Sequence, residues 1–181
     1  PEANSLAMTG VTAEWNFTYD GGGSRVAQMY IEDSSTLTTQ YFFGGVYESV
    51  VETGASKKYY SLAGQMIAVR SRADANSTPE LAYLLSDHLG STSIVLDDDG
   101  NPIEQQRYLP FGQARSISDD PDVSRTDFTY TGQREIKGSG LMDYKARFYD
   151  PLLSRFISPD TIIPGAGDPQ AWNRFTYVKN A

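Results

Sequence analysis

The sequence predicts an all-β chain built from successive β-hairpins, and three observations carry that prediction. Aromatic residues are abundant, with 12 Tyr, 8 Phe and 2 Trp among 181 residues, and these types fit a pleated, half-buried surface. Gly and Pro number 16 and 9, which punctuates the chain too often for long helices. The apolar runs between them are short and bounded by Gly-bearing turn signals, as in paired strands.

The elements follow in order. "EWNFTYD" leads into Gly21-Gly22-Gly23-Ser24 and out through "RVAQMYI"; "LTTQYFF" leads through Gly44-Gly45 into "VYESVVE". "KKYYS" turns at Leu62-Ala63-Gly64-Gln65 into "MIAVRS", and "LAYLLS" turns at Asp87-His88-Leu89-Gly90 into "STSIVL". Asp98-Asp99-Gly100-Asn101 then leads into "PIEQQRYL". Each unit is two apolar or aromatic runs around a turn. Polar loops are expected at roughly 72–80 and 116–124, the second acidic through Asp119, Asp120 and Asp122. In "LMDYKARFYD", Leu141, Tyr144, Lys145 and Phe148 are spaced like a helix face; the weight of aromatics favours strand. Asp168-Pro169 before "QAW" suits an N-cap and first residue of a single helical turn.

Composition excludes several classes of function. Fifteen basic against 23 acidic side chains give a net charge of −8, a surface that repels phosphate backbones and anionic lipid, so neither nucleic acid nor membrane is an expected partner. Without cysteine there is no disulfide framework and no thiolate metal site. No apolar stretch approaches the ~18 residues of a membrane span, and no signal peptide is read at Pro1. The chain begins without Met, as a piece of something longer would.

Repetition is visible as well. "FTYDGGGSR" and "FYDPLLSR" both read Tyr-Asp, then a few residues, then Arg, and "VLDDDGN" is a looser version without the tyrosine. Hairpins of this size cannot each bury a core, so they must stack or coil beside neighbours.

The blocks "YDGGGSR", "DHLGSTSIVLDDDGN", "YLPFGQAR", "YTGQREIKGSGLMDYKARFYDPLLSRFISPD" and "NRFTYVKN" resemble, in order, the RHS-repeat-associated core of the RHS/YD-repeat family. The resemblance runs over roughly residues 14 to 180. It implies an extended, curled antiparallel sheet that forms part of a spiral shell. In bacterial toxin complexes and polymorphic toxins of this family, the strands coil into a hollow shell around a C-terminal toxin, and the core segment closes one end; related YD shells occur in the teneurins, which are adhesion proteins. On this basis residues 1–13 are an N-terminal lead-in, 14–71 are YD-type hairpin repeats and 81–181 are the associated core. The family-motif residues are Tyr19, Asp20, Asp87, His88, Gly90, Ser91, Gly100, Pro110, Phe111, Gly112, Gly132, Arg147, Tyr149, Asp150, Pro151, Arg155, Phe156, Ser158, Pro159 and Asp160, all expected to be structural.

Two departures stand out. Ser154 occupies the place where the family pattern "DPxLGRF" usually has Gly, so a turn that tolerates positive φ must be built differently or with strain. Self-cleaving members carry an aspartyl site just downstream of "YVxNNP", whereas this chain stops at Lys179-Asn180-Ala181; autoproteolysis is expected only of a longer parent chain.

Candidate reactive residues read as structural. His88, the one histidine, has no Ser or Cys partner set at revealing spacing. Tested as an EF-hand loop, Asp97-Asp98-Asp99 would place the first ligand at Val95 and the bidentate acid at Gln106, so the template fails; a tight turn explains the same letters. Asp160-Thr161 lacks the Gly that an aspartic protease needs next, since Ile162 stands there; Asp160 is expected to accept hydrogen bonds in a turn. Arg147, Arg155 and Arg174 each precede Phe and are expected to stack on aromatics or pair with Asp150 and Asp160. Asn16 and Asn76 begin glycosylation sequons that matter only in a eukaryotic secretory setting.

No catalytic residue, metal site or cofactor is expected. The function expected is a non-catalytic wall of an RHS/YD shell that encloses or presents a C-terminal toxin or effector. Its partners would be adjoining RHS repeats and that passenger, with self-association possible through free sheet edges. The parent protein would be secreted or at the cell surface. Two alternatives stay open: a surface adhesion module binding carbohydrate or protein, and part of an RHS autoprotease whose aspartyl site lies beyond this chain.

Overall fold

The computed structural model describes residues 4–7, 13–33, 35–115, 125–161 and 172–178. These belong to two units, one joining 1–84 with 97–101 and the other joining 85–96 with 102–181. Among the described residues all regular structure is antiparallel strand except a 3-10 turn at Tyr130–Gly132. Asp168-Pro169 and the acidic loop 116–124 lie outside the described residues.

In the first unit, β1 (Asn4–Ala7), β2 (Ala13–Tyr19), β3 (Arg25–Glu32), β4 (Ser35–Phe43), β5 (Tyr47–Val50), β6 (Ser56–Leu62), β7 (Gln65–Arg72) and β8 (Glu80–Ser86) lie side by side in chain order. The order is local because each turn is short. At Ala63-Gly64, the two residues between β6 and β7, both φ angles are positive (51° and 83°), the geometry that matches the twist of paired strands. Register decides which face is buried. Trp15 faces Tyr30, Phe42 faces Glu48, Tyr59 faces Val69 and Val69 faces Ala82. Trp15, Phe17, Phe42, Glu48, Tyr59, Val69, Ala82 and Leu84 are all buried, and alternation places them on one side of the sheet. The polar member of that face is satisfied locally: Tyr59 Oη donates to Glu48 Oε1 at 3.0 Å. The Arg25 guanidinium lies 5.4 Å from the Phe17 ring and 4.7 Å from Phe42.

In the second unit, β9 (Thr92–Leu96) and β10 (Pro102–Gln105) form a hairpin, and β11 (Arg134–Ile136), β12 (Leu141–Asp143), β13 (Phe148–Asp150) and β14 (Arg155–Phe156) form a four-stranded sheet in chain order. Its core is Tyr130, Met142, Tyr149 and Phe156, with Tyr108, Tyr144 and Tyr177 packed against it. "LMDYKARFYD" is the β12–β13 hairpin, as its aromatics suggest. Tyr144 sits in the turn, with ring contacts to Tyr149 and Phe156 at 5.5 and 5.6 Å, which explains the helix-like spacing.

Two runs are shorter than their letters imply. "PIEQQRYL" is strand only to Gln105, because a bulge between Pro102 and Glu104 shifts the register and Tyr108 turns inward to donate to the Thr92 carbonyl at 3.0 Å. "VYESVVE" stops at Val50, where the Glu52 carboxylate leaves the ladder and accepts from the Thr39 N–H at 2.7 Å.

Candidate functional site: a recurring turn and a tyrosine core

Of the motif residues, Asp20, Asp87, His88, Gly90, Ser91, Gly100, Pro110, Phe111, Gly112 and Gly132 lie in copies of one five-residue turn. In Asp20–Ser24, Asp87–Ser91 and Asp97–Asn101, the first N–H donates to the fifth carbonyl (2.9, 2.8 and 2.9 Å) and the fourth N–H to the first carbonyl (3.1, 3.0 and 3.2 Å). The aspartate Oδ1 meanwhile accepts from the third and fifth N–H groups, at 2.7 to 3.0 Å. Gly23, Gly90 and Gly100 hold the fourth position with φ of 79°, 83° and 86°, a conformation that costs other residues about 1 kcal/mol or more. Leu109–Gln113 and Thr129–Gln133 repeat the same backbone bonds without the aspartate, with Gly112 and Gly132 in the glycine place. "VLDDDGN" is therefore a full copy of the Tyr-Asp turn.

This geometry says what the reactive-looking residues do. His88 holds the second position, where Gly21, Asp98, Pro110 and Tyr130 stand elsewhere, so the turn asks nothing of an imidazole. Asp97 spends its carboxylate on backbone N–H groups, and the side-chain amide of Asn101 adds a bond to Oδ2 at 3.1 Å. The Asn101 N–H, followed by its amide, holds the Asp97 carboxyl below its ordinary pKa. Among the described residues no three His, Asp or Glu side chains cluster to hold a metal ion.

A depressed carboxylate pKa contributes stability that is present above the unfolded value and lost as pH falls through the folded one. Stability is therefore expected to decline below about pH 4, and Asp97→Asn is expected to flatten that decline. Urea midpoints followed by the fluorescence of buried Trp15 across pH 5 to 2, roughly, check this; equal slopes would remove Asp97 from the account.

Asp150 departs from the pattern: its Oδ1 accepts from the N–H groups of Leu152 and Leu153 at 2.8 and 3.0 Å, with Pro151 between. The residue that closes this turn, Ser154, has φ of 56°. Serine thus adopts the left-handed backbone that the family pattern gives to glycine. Ser154→Gly is expected to raise stability by about 0.5–1 kcal/mol, read as a shift in urea midpoint at unchanged slope.

Past β14 the chain is fastened by arginine. Arg147 Nη2 pairs with Asp160 Oδ2 at 3.1 Å, its Nη1 donates to the Arg174 carbonyl at 3.3 Å, and its guanidinium lies 3.7 Å from the centre of the Phe156 ring. Arg155 lies 5.5 Å from the Phe175 ring, and Arg174 Nε donates to the Asp160 carbonyl. Asp160 is thus an ion-pair partner of Arg147, whereas Asp150 caps a turn. Ile157 and Ser158 form the bend after Phe156, and Pro159 leads from it to Asp160.

The tyrosine hydroxyls act as clamps. Tyr130 donates to the Pro110 carbonyl and Tyr149 to the Phe111 carbonyl, both at 2.8 Å, so two rings fix the Pro110-Phe111-Gly112 corner. Tyr144 shares hydrogen bonds with Thr131 Oγ1 at 2.8 Å and with Tyr177 at 3.3 Å. The Tyr108 hydroxyl has two alternative acceptors, the Thr92 carbonyl and Gln106 Oε1, and the Gln106 amide donates to Glu104. Burial pushes the phenols of Tyr108, Tyr130, Tyr144 and Tyr149 up.

Buried polar contacts join residues far apart in the chain, one of them from the motif residue Ser91. Ser91 Oγ accepts from the Thr131 N–H at 3.1 Å, and Thr92 Oγ1 donates to the Phe128 carbonyl at 2.8 Å. Asp127 pairs with Arg134 at 3.2 Å and Lys137 at 3.5 Å. A cavity of about 330 Å³ is lined by Phe111, Leu153, Ser154, Arg155, Asn173, Phe175 and Thr176; Arg155 is its one charged lining residue, so it holds no acid–base pair.

The sequence matches the Teneurin YD-shell family over residues 16–181. The chain belongs to that family. The YD-shell chain is 26% identical to the toxin subunit YenC1 of Yersinia entomophaga, over 91% of this chain and 18% of that protein. It is 24% identical to the tRNA3(Ser)-specific nuclease WapA of Bacillus spizizenii, over 91% of this chain and 7% of that one. The Photorhabdus luminescens Tc holotoxin pore superposes with a TM-score of 0.74 at 18% identity, over 98% of this chain and 9% of that chain, so the two share the fold. The YD-shell chain spans less than a fifth of the length of these relatives. No helix among its described residues is long and apolar enough to cross a membrane.

Proposed function

We propose that this chain is a non-catalytic wall segment of an RHS/YD shell, one that encloses or presents a C-terminal toxin or effector of a secreted or surface-exposed parent protein. The observation that carries the reading is the reuse of one turn: Asp20, Asp87 and Asp97 each spend an oxygen on backbone N–H groups. On this reading residues 14–71 are hairpin repeats and 81–181 the associated core, and the motif residues serve the wall. Nuclease activity named in a relative such as WapA would reside outside the segment that matches this chain.

Limited proteolysis of the parent protein tests the shell: a C-terminal segment protected in the intact protein, and cleaved once the tyrosine core is broken by Tyr149→Ala, is the expected result. A segment equally accessible in both refutes enclosure. Nuclease turnover by the purified 181-residue chain that disappears in His88→Ala or Asp97→Asn would refute the non-catalytic role.

A further inference from the structure

Phe43, Tyr47, Lys58, Arg70 and Leu81 stand directly opposite one another across β4, β5, β6, β7 and β8. A parallel row runs Tyr41, Ser49, Ser56, Arg72, and a shorter one Tyr60, Ala68, Tyr83. All lie on the face opposite Trp15, Phe42, Glu48, Tyr59 and Val69, and of these row residues Ala68 alone is buried. This face is open: Phe43 is 56% exposed, Tyr41 45% and Tyr83 43%, with Lys58 and Arg70 exposed beside them. With strands ~4.8 Å apart, the first row is about 19 Å long.

Its charge runs against that of the chain. Glu48 and Glu80 pair in register with Lys57 and Ser71 on the buried side, so no carboxylate of β4 to β8 stands among these three rows. Asp74, beyond β7, lies near Arg72; Lys58 and Arg70 hold the centre, and Lys58 Nζ sits 5.5 Å from the Tyr60 ring. A protein with net charge −8 thus shows a cationic aromatic strip.

We propose that this strip binds an extended acidic polypeptide with interspersed apolar residues, which, on the shell reading above, is a stretch of the passenger. Two central cations flanked by Phe43, Tyr41 and Tyr83 match a chain with occasional carboxylates and apolar side chains between them. A phosphodiester strand, charged at every nucleotide, would meet net repulsion from the rest of the surface.

The probe is a fluorescent peptide of Glu-Gly-Leu-Ser-Gly repeats, about 20 residues long and so able to cross the row, titrated by anisotropy against the 181-residue chain. The expected result is binding that weakens with salt and falls at least tenfold in Lys58→Glu/Arg70→Glu, with Lys58→Gln/Arg70→Gln between; Phe43→Ser/Tyr47→Ser falls comparably. The matching Lys-Gly-Leu-Ser-Gly peptide and an oligothymidine of equal length should bind at least tenfold more weakly than the acidic peptide. Unchanged binding in both cation variants, equal binding of the lysine peptide, or tighter binding of the oligonucleotide overturns the proposal. Protease protection of the parent's C-terminal segment reads the shell separately: acidic-peptide binding that persists where protection is absent removes the passenger and leaves the strip.

Discussion

Gly112→Ala is expected to cost about 3 kcal/mol, where Gly100→Ala costs about 1. Both glycines have φ near +90° (90° and 86°), so both substitutions incur the left-handed penalty of an L side chain. They differ in surroundings. A Cβ on Gly100 meets nothing within 4 Å, whereas one on Gly112 comes within 2.7 Å of Tyr130 Cγ and 2.8 Å of Cε1. The ring cannot easily retreat: its hydroxyl is bound to the Pro110 carbonyl at 2.8 Å, and Tyr108 and Tyr177 flank it at 5.7 and 6.4 Å between ring centres. Relief requires breaking the clamp or moving the aromatic cluster. Urea midpoints of the two variants measured side by side give the difference, and equal losses would mean that the corner yields without disturbing Tyr130.

Much of the architecture was legible because it is local. Hairpins such as β2–β3 and β6–β7 join runs separated by a few residues, and Gly23 or Gly64 announces the turn. The recurring Asp turn was legible as a repeated letter pattern at Asp20 and, more loosely, at Asp97. Asp150 carries the same letters but closes a different turn, and Asp87 was legible as a turn without a link to the repeat. The turns at Leu109–Gln113 and Thr129–Gln133 were not, because the backbone closes the same bonds there without the aspartate that marks them. Strand ends were the least readable: Tyr108 and Glu52 leave their strands for hydrogen bonds to Thr92 and Thr39, and nothing in the local sequence says so. Glu48 shows a second limit. Alternation places it on the buried face, but only the register of β5 against β6 shows that Tyr59 stands close enough to accept burial of a carboxylate. The same holds for Ser91 and Thr131, forty residues apart. The cationic strip needed register too, since Lys58 and Arg70 are twelve positions apart in the chain and directly opposite in the sheet.

Tyr149→Ala is expected to be the most damaging single change, about 4 kcal/mol, a large share of the roughly 5–15 kcal/mol that holds an ordinary domain folded. Tyr149 is 0% exposed, and its ring touches Tyr144, Phe156 and Tyr177 at centroid distances of 5.5, 5.6 and 4.8 Å. Truncation opens a cavity among side chains anchored by hydroxyls, which resist collapse into it. Tyr149→Phe isolates the clamp: the ring stays, the Phe111 carbonyl loses its donor, and the expected loss is about 1–2 kcal/mol. The two variants also separate at high pH. Burial raises the Tyr149 phenol above its ordinary value, so the neutral hydroxyl stabilises the fold below the unfolded pKa near 10 and that stability is lost as pH rises above it. Tyr108 and Tyr144 act in the same direction, and the wild type should therefore unfold cooperatively in alkali, with phenolate absorbance and loss of strand circular dichroism rising together. Tyr149→Phe removes one such group and should show a shallower fall in urea midpoint with pH, even though it starts lower. A variant as stable as wild type at neutral pH, with an identical alkaline slope, would mean that the Phe111 carbonyl is held by something other than Tyr149 and that the corner does not depend on its tyrosines.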